Sequence, residues 1–254
     1  HAPGVADMPG DAPCGSVSRE RVDQLLAEQA VGAGAELYRG VAINQVERQG
    51  NHWQVCCSDG QQWCSRAVVI ADGSGSPWPQ QLGLGPKKVQ MASTMSVRLD
   101  GQGNLADGTT RFEFGLVKQG FAWAVPVAGG VNIGVGSFIG QQDADPDAVL
   151  SELLPALGFD ASAGMRQRGQ LRVWNGHHRL DGDGIGVVGD AASLCDPFLA
   201  GGLRPDLLSG WCATHPLPLV EEGGRVQLRC QGRGLQKAGG GDMGGTRPHR
   251  GRSS

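Results

Sequence analysis

The stretch Ile185-Gly186-Val187-Val188-Gly189-Asp190-Ala191-Ala192, followed by Asp196-Pro197-Phe198 and then Gly201-Gly202-Leu203-Arg204, decides the fold. Its continuous apolar run suits a strand covered on both faces in a parallel sheet. A carboxylate where such a strand ends can accept hydrogen bonds from a sugar or polyol hydroxyl, and small residues beside it let a ligand approach the backbone. Gly201 and Gly202 then open a helix expected over residues 202–213. A helix N-terminus presents N–H groups and a partial positive charge, which suit a phosphate or another anion.

A second run of the same kind, Ala67-Val68-Val69-Ile70-Ala71, ends in Asp72-Gly73-Ser74-Gly75-Ser76. Two strands that each need cover on both faces, and that both stop at a Gly-flanked aspartate, are expected side by side in one sheet. Upstream, Ser18 is a candidate N-cap for a helix over 19–31, with Val22, Leu25 and Leu26 at helical spacing. Short strands are expected at 36–37, 41–46, 52–57 and 62–64, with Ser58-Asp59-Gly60 as a hairpin turn. Between residues 91 and 138 the pattern becomes that of an antiparallel sheet, with strands at 91–99, 110–116, 121–126 and 131–136. A helix starting at Pro146 places Val149, Leu150, Leu153 and Leu154 on one face. The fold class is therefore α/β (α+β), a doubly wound domain over 1–85 and 171–213 interrupted by an antiparallel-sheet domain over 86–170. In the tail, 214–254, glycines alternate with arginines and apolar periodicity is lost, so it is expected to be disordered.

The 254 residues suffice for one large domain or two small ones. Twenty-two basic against 25 acidic residues leave a formal charge of −3, without the clustered positive charge of a nucleic-acid binder. The Gly/Arg tail also lacks the aromatic platforms on which single strands stack. No run approaches the roughly 18 apolar residues of a membrane span, although a peripheral membrane contact stays open. Seven cysteines without a C-x-x-C spacing argue against a disulfide framework or a zinc ribbon and for a reducing, cytoplasmic setting. His52, Cys56, Cys57 and Cys64 read as ordinary strand residues, and no metal site is expected. No Ser-His-Asp or H-E-x-x-H pattern is present, and His177-His178 reads as a polar loop.

Four ordered stretches resemble the geranylgeranyl reductase group of the para-hydroxybenzoate-hydroxylase-like flavoproteins, over about residues 16–213. Gly189-Asp190-Ala191-Ala192 through Gly201-Gly202-Leu203-Arg204 is similar to the second FAD-binding motif of that group. Ser18-Arg19 through Gly34-Ala35-Glu36 resembles its arginine-bearing helix, and Ala71-Asp72-Gly73-Ser74-Gly75-Ser76 its internal Asp-Gly motif. Gly120-Phe121-Ala122-Trp123-Ala124-Val125-Pro126, with Asn132-Ile133-Gly134-Val135-Gly136, is similar to a segment of its substrate sheet. The resemblance implies FAD as cofactor, with NADPH or another reductant as electron source. It implies that Asp190 binds the ribityl or pyrophosphate part of FAD, that Gly201 and Gly202 place helix amides at the flavin ring, that Gly189, Ala191 and Pro197 belong to the same cofactor site, that Asp72 and Gly73 shape the loop by the cofactor, and that Arg19 lies near the adenosine or phosphates. Phe121, Trp123 and Pro126 would wall the cavity for an apolar small-molecule substrate.

The chain also departs from the group. Ala200-Gly201 stands where a Gly-Glu or Ala-Glu pair is usual, and Val125 where an aromatic precedes the proline. No N-terminal G-x-G-x-x-G is present, and Gly134-Val135-Gly136 lies inside a strand pattern with no helix after it. With His1 as the first residue, the expectation is an N-terminally truncated fragment whose parent reduces carbon–carbon double bonds of an isoprenoid or similar substrate. The flavin monooxygenases and halogenases, which share the Gly-aromatic-x-Trp segment, are the alternative reaction. A degenerate, non-catalytic fragment is the alternative class.

Overall fold

The computed structural model describes residues 16–138 and 145–214. In chain order the elements are α1 (Arg19–Gly32), β1 (Ile43–Gln49), β2 (His52–Cys57), β3 (Gln62–Ser65), β4 (Val68–Ile70), α2 (Trp78–Gln81), β5 (Gln90–Asp100), β6 (Arg111–Phe114), β7 (Gly120–Val127) and β8 (Gly130–Phe138). They continue with α3 (Pro146–Ala156), β9 (Gln167–Val173), β10 (Asp181–Gly182), β11 (Ile185–Val187) and α4 (Leu203–Thr214), with a 3-10 turn, Gly189–Ala192, after β11. The described residues form two compact units, one of 16–39, 94–138 and 145–169, the other of 40–93 and 170–214. The class is mixed α/β. The tail expectation falls on residues 215–254, outside those described.

In the first unit the five-stranded sheet runs in the order β6-β7-β8-β5-β9. β7 and β8 pair antiparallel without irregularity from Gly120 opposite Ser137 to Val127 opposite Gly130, closed by a turn in which Gly129 takes a φ of 78°. Regular alternation puts Ala122 and Ala124 on one face, where they join Ile133, Val135, Leu150 and Leu154 in the unit's core. α3 starts where the sequence places it, because Asp145 accepts from the Asp147 amide at 3.1 Å and Pro146 occupies the first turn. Val149, Leu150, Leu153 and Leu154 are its buried face.

α1 also forms as expected, with the Ser18 hydroxyl accepting from the Arg21 amide, but none of its residues is buried. Leu25, Leu26 and Val31 are 40%, 43% and 47% exposed, so helical spacing here does not mark a covered face. The strand expected at 36–37 is irregular chain.

The second unit contains two small sheets, β1-β2-β3 and β10-β11-β4. The β2–β3 hairpin turns at Asp59, which accepts from the Gln61 amide at 3.0 Å, and at Gly60, with a φ of 87°. The Trp53 indole donates to the Asp183 carbonyl at 2.9 Å and Arg48 donates to the same oxygen, which fastens the β1–β2 hairpin to the β10–β11 turn. The core joins Val46, Trp53, Ile70, Trp78, Leu84, Ile185, Val187, Ala191 and Ala192. One expectation needs correction. β4 lies at the edge of its sheet, and Val69 is 43% exposed rather than covered, because only the Ile70 side faces the core.

Candidate functional site

β4 and β11 run parallel, with Val68, Val69 and Ile70 opposite Ile185, Gly186 and Val187. The loops that leave them therefore emerge at the same end of the sheet, with Asp72 exposed and Asp190 half-buried. Gly73 and Gly189 take φ values of 80° and 60°, a backbone region where a Cβ is strained. At Gly189 a Cβ would also lie 3.0 Å from the Asp206 carboxylate.

The residue that ties the two loops together is Arg172 on β9. It is 7% exposed, and its guanidinium donates to carbonyls of both: to Ser74 from Nε at 2.6 Å, to Ser76 from Nη2, and to Ala191 from Nη1 at 3.5 Å. Burial pulls the arginine's pKa down, and the negative charges of Asp72 and Asp190 oppose that fall. Sequence reasoning passed over Arg172. The signal was a lone charge inside the apolar run Leu171-Arg172-Val173-Trp174, which on a covered strand demands partners.

α4 borders the turn 189–192. The Gly189 amide donates to the Ser209 hydroxyl at 2.9 Å, and that hydroxyl donates to the Asp206 carbonyl at 3.0 Å. A Cβ at Gly202 would lie 3.4 Å from Asp206 Oδ2 and 3.7 Å from Asp190 Oδ1, so both carboxylates border the start of the helix. Asp206, also missed from sequence, supplies a carboxylate beside Gly202. A Cβ at Gly201 meets nothing, which leaves the approach to the helix N-terminus open.

Asp196 shapes the connection into α4. Its Oδ1 accepts from the amides of Phe198 at 2.9 Å and Leu199 at 2.7 Å, while its own amide donates to the Gly201 carbonyl at 3.2 Å. Within this closed loop Pro197 is exposed, Phe198 is 73% exposed, and Ala200 takes a φ of 53° that favours glycine.

The buried Cys195 thiol is pushed up to about 12 by desolvation, with Asp190, Asp206 and Asp196 adding to the effect. A folded thiol that keeps its proton while an unfolded one releases it near 9.0 makes stability fall as pH rises from about 9 to about 12. The thiolate is the nucleophile, so an alkylating reagent at pH 8 is expected to modify the exposed Cys64 and spare Cys195 in the folded protein. Peptide mapping checks this, and equal labelling of the two would refute it.

In the first unit, Phe121 and Trp123 share the sheet face opposite Ala122 and Ala124. Phe112 and Phe114 on β6 join them, at ring centroid distances of 5.9 Å and 5.7 Å from Phe121, and Trp123 lies 5.9 Å from it. The Trp123 indole donates to Asn132 Oδ1 at 2.8 Å and lies across Gly134, where a Cβ would collide with its ring. Pro126 has the parity of Ala122 and Ala124 and so sits on the other face from Phe121 and Trp123. Arg19, in this unit, is exposed and pairs with Asp23 at 3.4 Å.

No family model matches the chain. It is 30% identical over 224 residues to digeranylgeranylglycerophospholipid reductase 2 of Methanopyrus kandleri, a match that covers 80% of this chain and 55% of the relative. It is 27% identical over 202 residues to digeranylgeranylglycerophospholipid reductase of Methanocaldococcus jannaschii, covering 74% and 50%. Among solved structures, a geranylgeranyl bacteriochlorophyll reductase-like protein from Thermoplasma acidophilum superposes with a TM-score of 0.68 at 22% identity, over 77% of this chain and 52% of that one. A flavin-dependent brominase gives 0.63 at 18% identity, over 81% and 56%. The chain thus spans about half the length of the curated relatives it matches.

Proposed function

We propose, for a chain that is geranylgeranyl reductase-like in sequence and fold, that it carries the flavin-side half of an FAD-dependent oxidoreductase acting on carbon–carbon double bonds of an isoprenoid or similarly apolar substrate. The observation that carries the reading is the parallel β4–β11 pair, whose two loops, with Asp72-Gly73 and Gly189-Asp190, leave the same end of the sheet. The residues present fit the cofactor: Asp190 offers a carboxylate to a ribityl hydroxyl, and the glycines at 201 and 202 leave the helix amides approachable. When bound, FAD supplies the hydride that such a reduction consumes.

The protein's own groups bind and orient. Asp190 would accept from the cofactor's hydroxyls, and the N-terminus of α4 would favour negative charge near it. Asp72 and Gly73 shape the neighbouring loop. Phe112 and Phe114, exposed over the buried Phe121, and the half-buried Trp123 beside it offer an aromatic surface that suits a branched apolar chain. Roles for Arg19 at the adenosine or phosphates, and for Pro126 at the substrate, rest on the resemblance alone.

The brominase likeness keeps an oxygen-dependent reaction as the second reading. The test is to titrate the protein with FAD by flavin fluorescence and then supply dithionite and an isoprenoid lipid without oxygen. The expected result is saturable binding and a product heavier by two hydrogens per double bond. Turnover only with oxygen, with or without halide, would move the assignment to the second reading. Absence of flavin binding would remove both.

A further inference from the structure

We infer that Arg172 is a positioning residue that joins loop 72–76 and turn 189–192 into one ligand-binding rim, so that the two segments open and close as a unit. The identity of the ligand rests on the flavin reading, whereas the coupling rests on the hydrogen bonds of Arg172 alone.

The backbone bonds of the two segments do not join them: the Ser76 amide donates to the Gly73 carbonyl at 3.1 Å, the Ser193 amide to the Asp190 carbonyl at 3.0 Å, and the Gly189 amide to the Ser209 hydroxyl of α4. None of these bonds fixes one segment against the other. The guanidinium does, because its planar fork has five donors and meets Ser74 and Ser76 on one side and Ala191 on the other. Arg172, Ser76 and Ala191 are buried, so the carbonyls of Ser76 and Ala191 have little solvent to replace the arginine if it is lost. Two of the three contacts fall in the Asp72 loop and one beside Asp190, so a ligand that orders either loop passes that order to the other through a single side chain. Lysine would keep the charge but not the fork: a point ammonium on a flexible stem can reach one segment, not both.

The experiment is hydrogen exchange by mass spectrometry on the wild-type protein, Arg172→Lys and Arg172→Met, with peptides over 72–76 and 189–192 and with the β7–β8 hairpin as internal control. Exchange is expected to speed about ten-fold or more in both segments of both variants, with the hairpin unchanged. FAD is expected to slow both segments together in the wild type. Arg172→Lys should bind FAD about ten-fold more weakly while melting within a few degrees of wild type, a split that a merely structural residue would not produce. Faster exchange in one segment only, or in neither, overturns the inference. Wild-type protein that takes up no FAD would defeat the flavin reading and leave the exchange pattern to decide the coupling. Should both variants unfold, wild-type exchange at high pH still decides it, since coupled segments must open at one rate.

Discussion

Asp190→Ala is expected to weaken FAD binding by roughly ten-fold to a hundred-fold. A charged acceptor to a ligand hydroxyl contributes about 1.5 to 3 kcal/mol, and each 1.4 kcal/mol is a factor of ten. Asp190→Asn should cost less, because an amide oxygen still accepts one such bond. Asp196→Ala is the informative control. Its carboxylate is engaged with the amides of Phe198 and Leu199, so its loss should loosen the loop before α4 and change affinity by far less. Fluorescence quenching of flavin by the three variants gives the order. Equal affinity for wild type and Asp190→Ala would remove the strongest motif from the functional argument.

Gly134→Ala should destabilise the first unit by about 2 to 4 kcal/mol, the sum of overpacking and a lost hydrogen bond. The added methyl collides with the Trp123 ring and comes within 2.9 Å of the Met95 carbonyl, so relief requires moving the indole off Asn132. The same displacement breaks the aromatic surface at Phe121, which predicts weaker binding of an apolar substrate along with lower stability. Gly201→Ala provides the contrast: its Cβ has open space around it, and stability should stay within about 0.5 kcal/mol of wild type. Urea denaturation monitored by near-ultraviolet circular dichroism separates them. A wild-type midpoint for Gly134→Ala would mean that the Trp123 packing is not tight.

Local chemistry made most elements legible. Ser18 and Pro146 announced their helices, Ser58-Asp59-Gly60 its turn, and the alternation between residues 91 and 138 the antiparallel sheet. Two apolar runs that each end at a Gly-flanked aspartate pointed to the parallel pair. What escaped was the part of the site that depends on partners distant in sequence. Nothing near Arg172 says that its donors meet residues 74, 76 and 191, and Asp206 lies one turn into a helix whose interest seemed to end at its glycines. Exposure was misjudged for the same reason: Val69 and the leucines of α1 have the spacing of covered residues, but spacing does not supply the cover.

The register of Val68 with Ile185 also sets an order of events in time. The β7–β8 hairpin closes over a two-residue turn and can zip as soon as it is made, whereas β4 must wait for a strand encoded beyond the whole inserted sheet. At synthesis rates of about 5–20 residues per second, that wait lasts roughly 6 to 20 s. During it the apolar run at 67–71 stands unpaired on the nascent chain, where a chaperone or another nascent chain can reach it first. Slow translation between the two halves of the site would lengthen this interval, and fast translation shorten it, without altering a single contact of the finished fold.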